Sequence, residues 1–181
     1  MKMRSFLKTM AAGIDRCNEW TGRLVSWVVV FLVAVVFIDV LMRYTANTSF
    51  VFVQELEWHL FGFIFLMGAG YTLLYDQHVR VDVIYQRLSS KGQAWINVLG
   101  CIFFLFPGAL LIIYTSWIFA WESFAFLEGS PDPGGIPFRF IIKACVPFGY
   151  VLFLLQGISM FIRNLHILLE PPPDENQKEM L

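Results

Sequence analysis

Four long apolar stretches dominate the pattern of hydrophobic and polar positions along the chain, and short polar segments separate them. At about 1.5 Å per helical residue, each stretch is long enough to cross roughly 30 Å of hydrocarbon. The pattern therefore predicts an all-α membrane protein with four transmembrane helices. We place the four spans at approximately these residues: 22–42, 55–75, 94–121 and 137–162.

Two amphipathic helices are expected on the membrane surface beside the spans. The first is an N-terminal arm, residues 1–21, in which apolar side chains recur every three or four residues: Met3, Leu7, Met10, Ile14 and Cys17. The second follows the second span, where Asp82 can cap a short helix. Polar side chains of this loop are expected to reach the headgroups: His78, Arg80, Asp82, Arg87 and Lys91. The alternatives are a frayed leader and a solvated loop.

Composition and charge support the membrane assignment and predict the orientation. Hydrophobic residues make up 57% of the chain and charged residues only 15%. No small-residue cleavage site follows the first span, so this span is expected to remain as a signal anchor. Of the 13 Lys and Arg residues, only Arg43, Arg139 and Lys143 belong to the first and third loops. Because basic residues concentrate in cytoplasmic segments, both termini are expected in the cytoplasm. The polar tail, residues 164–181, is expected to be disordered there.

Ionisable side chains cluster where the first span ends and the second begins. Asp39 and Arg43 stand four residues apart, the spacing of an ion pair along one helix face. On the second helix, Glu55 and His59 share a face, while Glu57 is rotated by roughly 200° from Glu55. We expect two different partners for the two acids: Arg43 for one, and a neighbouring chain or water for the other. The alternative is that all these groups are solvated at the helix ends.

The third and fourth spans carry further polar and helix-breaking positions. Pro107, in the middle of the third span, is expected to kink it. Lys143 stands four residues after Arg139 at the loop side of the fourth span. Gln156 lies deeper in that span and needs a hydrogen-bond partner, because hydrocarbon offers none.

Catalytic and cofactor signatures are missing from the sequence. The chain has no nucleophile or phosphate-binding motif, no cysteine pair with metal-ligand spacing and no two histidines at one depth for a haem. We therefore expect no enzyme activity, no metal and no cofactor. Secondary transporters usually show two related halves and a midplane site, and neither is evident. An accessory membrane subunit is the favoured interpretation; a self-sufficient small dimeric transporter, or the membrane anchor of another complex, is the alternative.

Three segments of the chain together match a known pattern: RYTANTSFVFVQELEW, HVRVDVIYQRLS and GSPDPGGIPFRFIIKACVPFGYVLFLLQGIS. They resemble the DctQ-like small permease subunits of tripartite ATP-independent periplasmic (TRAP) transporters. Together they cover roughly Val40 to Ile162, and the recurring elements are Arg43-Tyr44, Glu55 with Glu57, and His78-Val79-Arg80-Val81-Asp82. The family often has adjacent acids, so either Glu55 or Glu57 can correspond to the family's acid.

The resemblance implies a three-part transporter of the bacterial inner membrane. A periplasmic solute-binding protein captures an organic acid, a large (DctM-like) permease subunit moves it together with sodium, and this small subunit braces the large one. The expected partners are thus these two proteins and membrane lipids, with no nucleic acid. Polar contacts between helices or to the large subunit are expected at these residues: Asp39, Arg43, Glu55, Glu57, His59, Lys143 and Gln156. The third loop is expected to face the periplasm, as a plain connector or as a contact for the binding protein through Glu128, Asp132 and Arg139.

Overall fold

The computed structural model describes residues 2–75 and 85–169, and these residues are almost entirely helical. The helices are α1 (Lys2–Ala46), α2 (Val51–Leu74), α3 (Ser90–Gly100), a π-helical segment (Cys101–Leu105), α4 (Phe106–Ala125) and α5 (Phe140–Leu169). Within the described ranges, α1, α2, the continuous α3–α4 unit and α5 are each long and apolar enough to cross a membrane. The prediction of an all-α protein with four transmembrane helices is confirmed.

Helix α5 is the centre of the bundle, because it packs against every other helix. Helices α1 and α2 pack against each other and against α5. Helices α3 and α4 are joined by the π-helical segment, and all three pack against α5. We call one end of the bundle the terminal end, which contains residues 8–20 of α1 and 156–167 of α5. We call the other the loop end, which contains residues 43–55 and 122–140. The span of α5 is also the most buried of the four.

The predicted N-terminal arm, residues 1–21, is not a separate element, since α1 begins at Lys2 and runs without a break into the first span. No residue at the expected boundary stops the helix. Gly22 allows α1 to pack closely against α2, because a Cβ at this position would lie 2.0 Å from Cδ2 of Tyr71. Residues 8–18 consequently run along α5 and contact it, as the polar contacts of Asp15 and Asn18 below make clear.

Pro107 disturbs the third span through a widened turn. The five residues Cys101–Leu105, immediately before it, form π-helix. Pro107 has no N–H to donate, and its ring crowds the carbonyl of Phe103 four residues earlier, so the normal helical bond is lost there. The wide turn places Leu105 directly on α5, where a Cβ at Gly157 would lie 2.4 Å from Cδ2 of Leu105.

The other predicted surface elements are only partly covered by the structure. The second-loop helix, with His78, Arg80 and Asp82, lies outside the described residues, as does most of the predicted tail. The described part of the tail continues α5 as helix to Leu169. Arg87 and Lys91 are exposed around the start of α3, where the Ser89 hydroxyl accepts a hydrogen bond from the Gly92 N–H at 3.3 Å.

Candidate functional site

Asp15 of α1 is the hub of a polar network at the terminal end. Its Oδ1 accepts hydrogen bonds from Nε2 of Gln156 and from Oγ of Ser159, both at 2.8 Å, and its Oδ2 accepts one from Arg163. Gln156 and Ser159 are 2% and 0% exposed. The partner that Gln156 requires therefore lies on α1, in the segment for which the sequence predicted a surface helix.

Asn18, one helical turn after Asp15, extends the network toward α2. It is fully buried, and its Nδ2 donates to Oε1 of Gln156 at 3.0 Å. A Cβ at Gly70 of α2 would lie 2.1 Å from Oδ1 of Asn18 and 3.2 Å from the Leu152 carbonyl oxygen. The missing side chain of Gly70 thus allows α1, α2 and α5 to approach one another closely. We refer to Asp15, Asn18, Gln156, Ser159 and Arg163 as the terminal network.

The spacing of polar residues on α1 and α5 indicates that these two helices contact each other, which the sequence prediction did not include. Gln156, Ser159 and Arg163 recur at intervals of three and four, which places them on one face of α5. Asp15 and Asn18 show the matching interval of three on α1. A polar stripe on each of two helices indicates that the stripes face each other, because neither can face hydrocarbon without a partner.

Two further polar pairs connect helices at the terminal end. Nδ2 of Asn97 on α3 donates to Oδ1 of Asn164 on α5 at 3.0 Å. The Tyr75 hydroxyl, just after α2, donates to Oε2 of Glu19 on α1 at 2.5 Å. This bond stabilises the protonated phenol and raises the pKa of Tyr75 to about 12. The terminal end is therefore tied together by side-chain hydrogen bonds that link α1, α2, α3 and α5.

At the loop end, Glu55 of α2 holds the third loop. The Ser130 hydroxyl donates to its Oε1, and the Ile136 N–H donates to its Oε2 at 2.5 Å. Glu55 is 4% exposed. Gly135 passes so close that a Cβ there would lie 2.6 Å from Oε2 of Glu55 and 2.4 Å from Oγ of Ser130. We call Glu55, Ser130, Gly135 and Ile136 the loop latch.

Arg43 pairs within its own helix. Its Nη2 lies 2.5 Å from Oδ2 of Asp39, as their four-residue spacing predicts, and Asp39 is 4% exposed. The sequence predicts that Arg43 serves one of the acids of α2. Glu55 instead takes its donors from the third loop, namely the Ser130 hydroxyl and the Ile136 N–H.

Of the three residues predicted to contact the binding protein, Glu128 and Arg139 already interact within the chain, and Asp132 is exposed. Nζ of Lys143 bonds to Oε2 of Glu128, and this bond keeps the pKa of the Glu128 carboxyl below its usual 4.5. The Arg139 guanidinium lies 5.5 Å from the centre of the Trp58 ring. The backbone N–H of Arg139 donates to the backbone carbonyl of Glu128 at 2.8 Å. Asp132, by contrast, is exposed.

Glu57 and His59 carry buried polar atoms with unmet hydrogen-bonding capacity. Nδ1 of His59 lies 2.6 Å from the Glu55 carbonyl oxygen, so this nitrogen donates its proton there. Nε2 of His59 and Oε1 of Glu57 are buried, and neither has a hydrogen-bond partner within residues 2–75 and 85–169. The two acids near the start of α2 therefore differ: both oxygens of Glu55 accept hydrogen bonds within the chain, whereas Oε1 of Glu57 is buried without a partner in the described residues.

The described part of the chain contains no group of three His, Cys, Asp or Glu residues that could hold a metal. The cysteines in it, Cys17, Cys101 and Cys145, are free thiols. Polar side chains instead connect helices or hold the third loop, and large apolar side chains cover the outside. These features define a multi-pass membrane protein in which most of the internal polar groups described above serve its own packing.

Comparison with known proteins assigns this subunit to a family. The chain belongs to the DctQ components of tripartite ATP-independent periplasmic transporters, whose family model matches residues 32–166. It is therefore a transport component of the bacterial inner membrane. A Haemophilus influenzae protein, provisionally named a TRAP transporter small permease protein, is 31% identical over 100 residues. That match covers 54% of this chain and 62% of the relative, so the chain spans less than two thirds of the relative's length. No solved structure matches the chain.

Proposed function

We propose that this chain is the scaffold of a sodium-coupled TRAP transporter. It holds the large permease subunit in place while that subunit moves an organic acid delivered by a periplasmic solute-binding protein. Family membership supports a place in such a transporter. The scaffold role rests first on one observation: the partly buried carboxylate of Asp15 and the buried carboxylate of Glu55 take their donors from this same chain. Neither carboxylate is left to bind a solute or an ion.

The uncovered apolar surface is the second support for a scaffold. Beyond Val25, most of the large apolar side chains of α1 are exposed, and Phe37 is 66% exposed. Helix α4 presents a similar surface, on which Tyr114 is 68% exposed. Apolar surfaces of this extent must be covered by lipid or by other transmembrane helices. We assign part of them to the large permease subunit.

Glu57 is the acid that we infer to face the large subunit. Leaving a buried carboxylate oxygen without a donor is costly in an apolar environment. Oε1 of Glu57 and Nε2 of His59 are both hydrogen-bond acceptors. Donors from a neighbouring protein would therefore remove that cost for both atoms. Glu55 has no such need, so it is a structural residue in this proposal.

The orientation is proposed from the distribution of Lys and Arg: both termini are cytoplasmic, and the loop end faces the periplasm. In this orientation the third loop lies on the side of the solute-binding protein. Asp132 is the proposed contact, because Glu128 and Arg139 already serve Lys143 and Trp58. A crosslinker placed at Asp132 should capture the loaded binding protein.

Co-purification with a tagged large permease subunit tests the proposed contact. Glu57→Gln keeps the size of the side chain but weakens its hydrogen bonds to a charged donor, so less large subunit should be recovered. Glu122→Gln, at an exposed acid near the end of α4, is the matched control and should leave recovery unchanged. Equal recovery with both variants would remove Glu57 from the interface.

A further inference from the structure

A groove with a basic rim runs between α1 and α5 at the terminal end. Its volume is about 320 Å³. Lys8 of α1 and Arg163 and His166 of α5 form the rim, and small or aliphatic side chains form the floor: Ala11, Ala12 and Ile162. The groove exists only because α1 continues as a helix past the first span and packs along α5. A surface arm turned away from the bundle would have left Lys8 far from Arg163.

Arg163 is held at the rim by the terminal network. Oδ1 of Asp15 already accepts two hydrogen bonds, from Gln156 and Ser159, and Oδ2 binds Nη2 of Arg163. A guanidinium carries five N–H donors, so most of those of Arg163 remain available for an anion. Its side chain is 56% exposed, whereas that of Asp15 is 13% exposed. Asp15 thus fixes the direction of Arg163 and offers little negative charge to the groove itself.

The groove lies at the depth of lipid headgroups. From Phe140 to Arg163, α5 rises by about 35 Å, which is close to the hydrocarbon thickness plus part of one interface. Ile162 is the last residue of the apolar run, and Arg163 follows it at once. The basic rim therefore begins where the hydrocarbon ends, which is the level of phospholipid phosphates.

We propose that this groove binds the headgroup of an anionic phospholipid. Arg163 and Lys8 bind the phosphate, and Ala11, Ala12 and Ile162 contact the glycerol and the upper part of an acyl chain. The apolar floor favours a lipid over free phosphate, because inorganic phosphate has no apolar part to cover it. A lipid in this position joins α1 to α5 beside the terminal network. This inference does not depend on the scaffold role.

Native mass spectrometry of the full chain can test the proposal, after reconstitution in vesicles with equal amounts of phosphatidylglycerol and phosphatidylcholine. The wild-type chain should retain phosphatidylglycerol preferentially. Lys8→Gln should lower this preference about fivefold, the effect of one basic residue facing anionic lipid. Lys91→Gln is the matched control, because Lys91 is an exposed lysine at the same end and does not line the groove. It should lower the preference less than twofold.

A second variant separates shape from charge. Ala12→Leu fills the groove and leaves every charge in place, so it should also reduce phosphatidylglycerol retention. Millimolar inorganic phosphate should not displace the lipid. The proposal is overturned if Lys8→Gln and Lys91→Gln have equal effects, since general attraction to the membrane surface would then explain the binding. Unchanged retention in Ala12→Leu, or displacement by inorganic phosphate, would overturn it as well.

Discussion

Each end of the bundle has a carboxylate that accepts hydrogen bonds from other parts of the chain, but the two carboxylates serve different purposes. Asp15, in the terminal network, accepts hydrogen bonds from side chains of α5. Glu55, in the loop latch, accepts from a hydroxyl and a backbone N–H of the third loop. The N–H groups in the interior of α5 donate within the helix, whereas the N–H groups of a loop need other acceptors. The terminal carboxylate therefore joins helices, and the loop-end carboxylate fixes the path of a loop.

Removing Asp15 should have the largest effect. In Asp15→Ala, Gln156, Ser159 and Arg163 all lose their shared acceptor, and the free energy of unfolding should fall by about 2 kcal/mol. The measurement is the midpoint of unfolding by denaturing detergent, followed by helical circular dichroism. Arg16→Ala, at the exposed neighbouring position, should change the midpoint little. Similar midpoints for the two variants would show that the terminal network does not hold the helices together.

Disrupting the loop latch should have a smaller and more local effect. Gly135→Ala would place a Cβ against Glu55 and Ser130, whereas Gly129→Ala adds a Cβ in open space. We expect Gly135→Ala to speed proteolysis within residues 128–139 and to lower the free energy of unfolding by only about 1 kcal/mol. Gly129→Ala should behave like the wild type.

Both measurements on both variants show whether the two ends of the bundle are independent. Asp15→Ala should leave the rate of loop cleavage unchanged, and Gly135→Ala should leave most of the helix stability in place. If either variant changes both measurements to the same extent, the two ends are energetically coupled and the distinction drawn above fails.

The smallest expected effect concerns Glu128 at the loop end. Because its bond to Lys143 lowers the pKa of this carboxyl, the ionised form stabilises the fold above the usual pKa of 4.5. That contribution is lost as the pH falls through the lowered value. Glu128→Gln resembles the protonated acid, so the unfolding midpoints of wild type and variant should differ at neutral pH and converge in acid. A difference that persists at low pH would rule out this bond as its source.

The four spans were predictable because their apolar length leaves few alternatives in a chain of 181 residues. The Asp39–Arg43 pair was predictable for a related reason: both partners lie on one helix, where spacing fixes distance. The expected disturbance at Pro107 takes the form of a π-helical turn. In these cases the information is local in the sequence.

The partners of the buried acids were not predictable in the same way. Asp15 and Ser159 are 144 residues apart, and their contact depends on how α1 and α5 pack. The partner of Glu55 includes a backbone N–H, which any residue other than proline could supply, so it leaves no trace in residue type. The continuity of α1 was missed because Gly22 can either end a helix or allow close packing, and Tyr71 decides between them.

Photocrosslinking from the uncovered apolar faces tests the scaffold claim most directly. A photoreactive residue replaces Phe37 on α1 or Tyr114 on α4 in cells that also produce the large permease subunit. The account predicts, from at least one position, a covalent product with the mass of this chain plus the large subunit. Products that contain only two copies of this chain, or no protein adduct from either position, would contradict it.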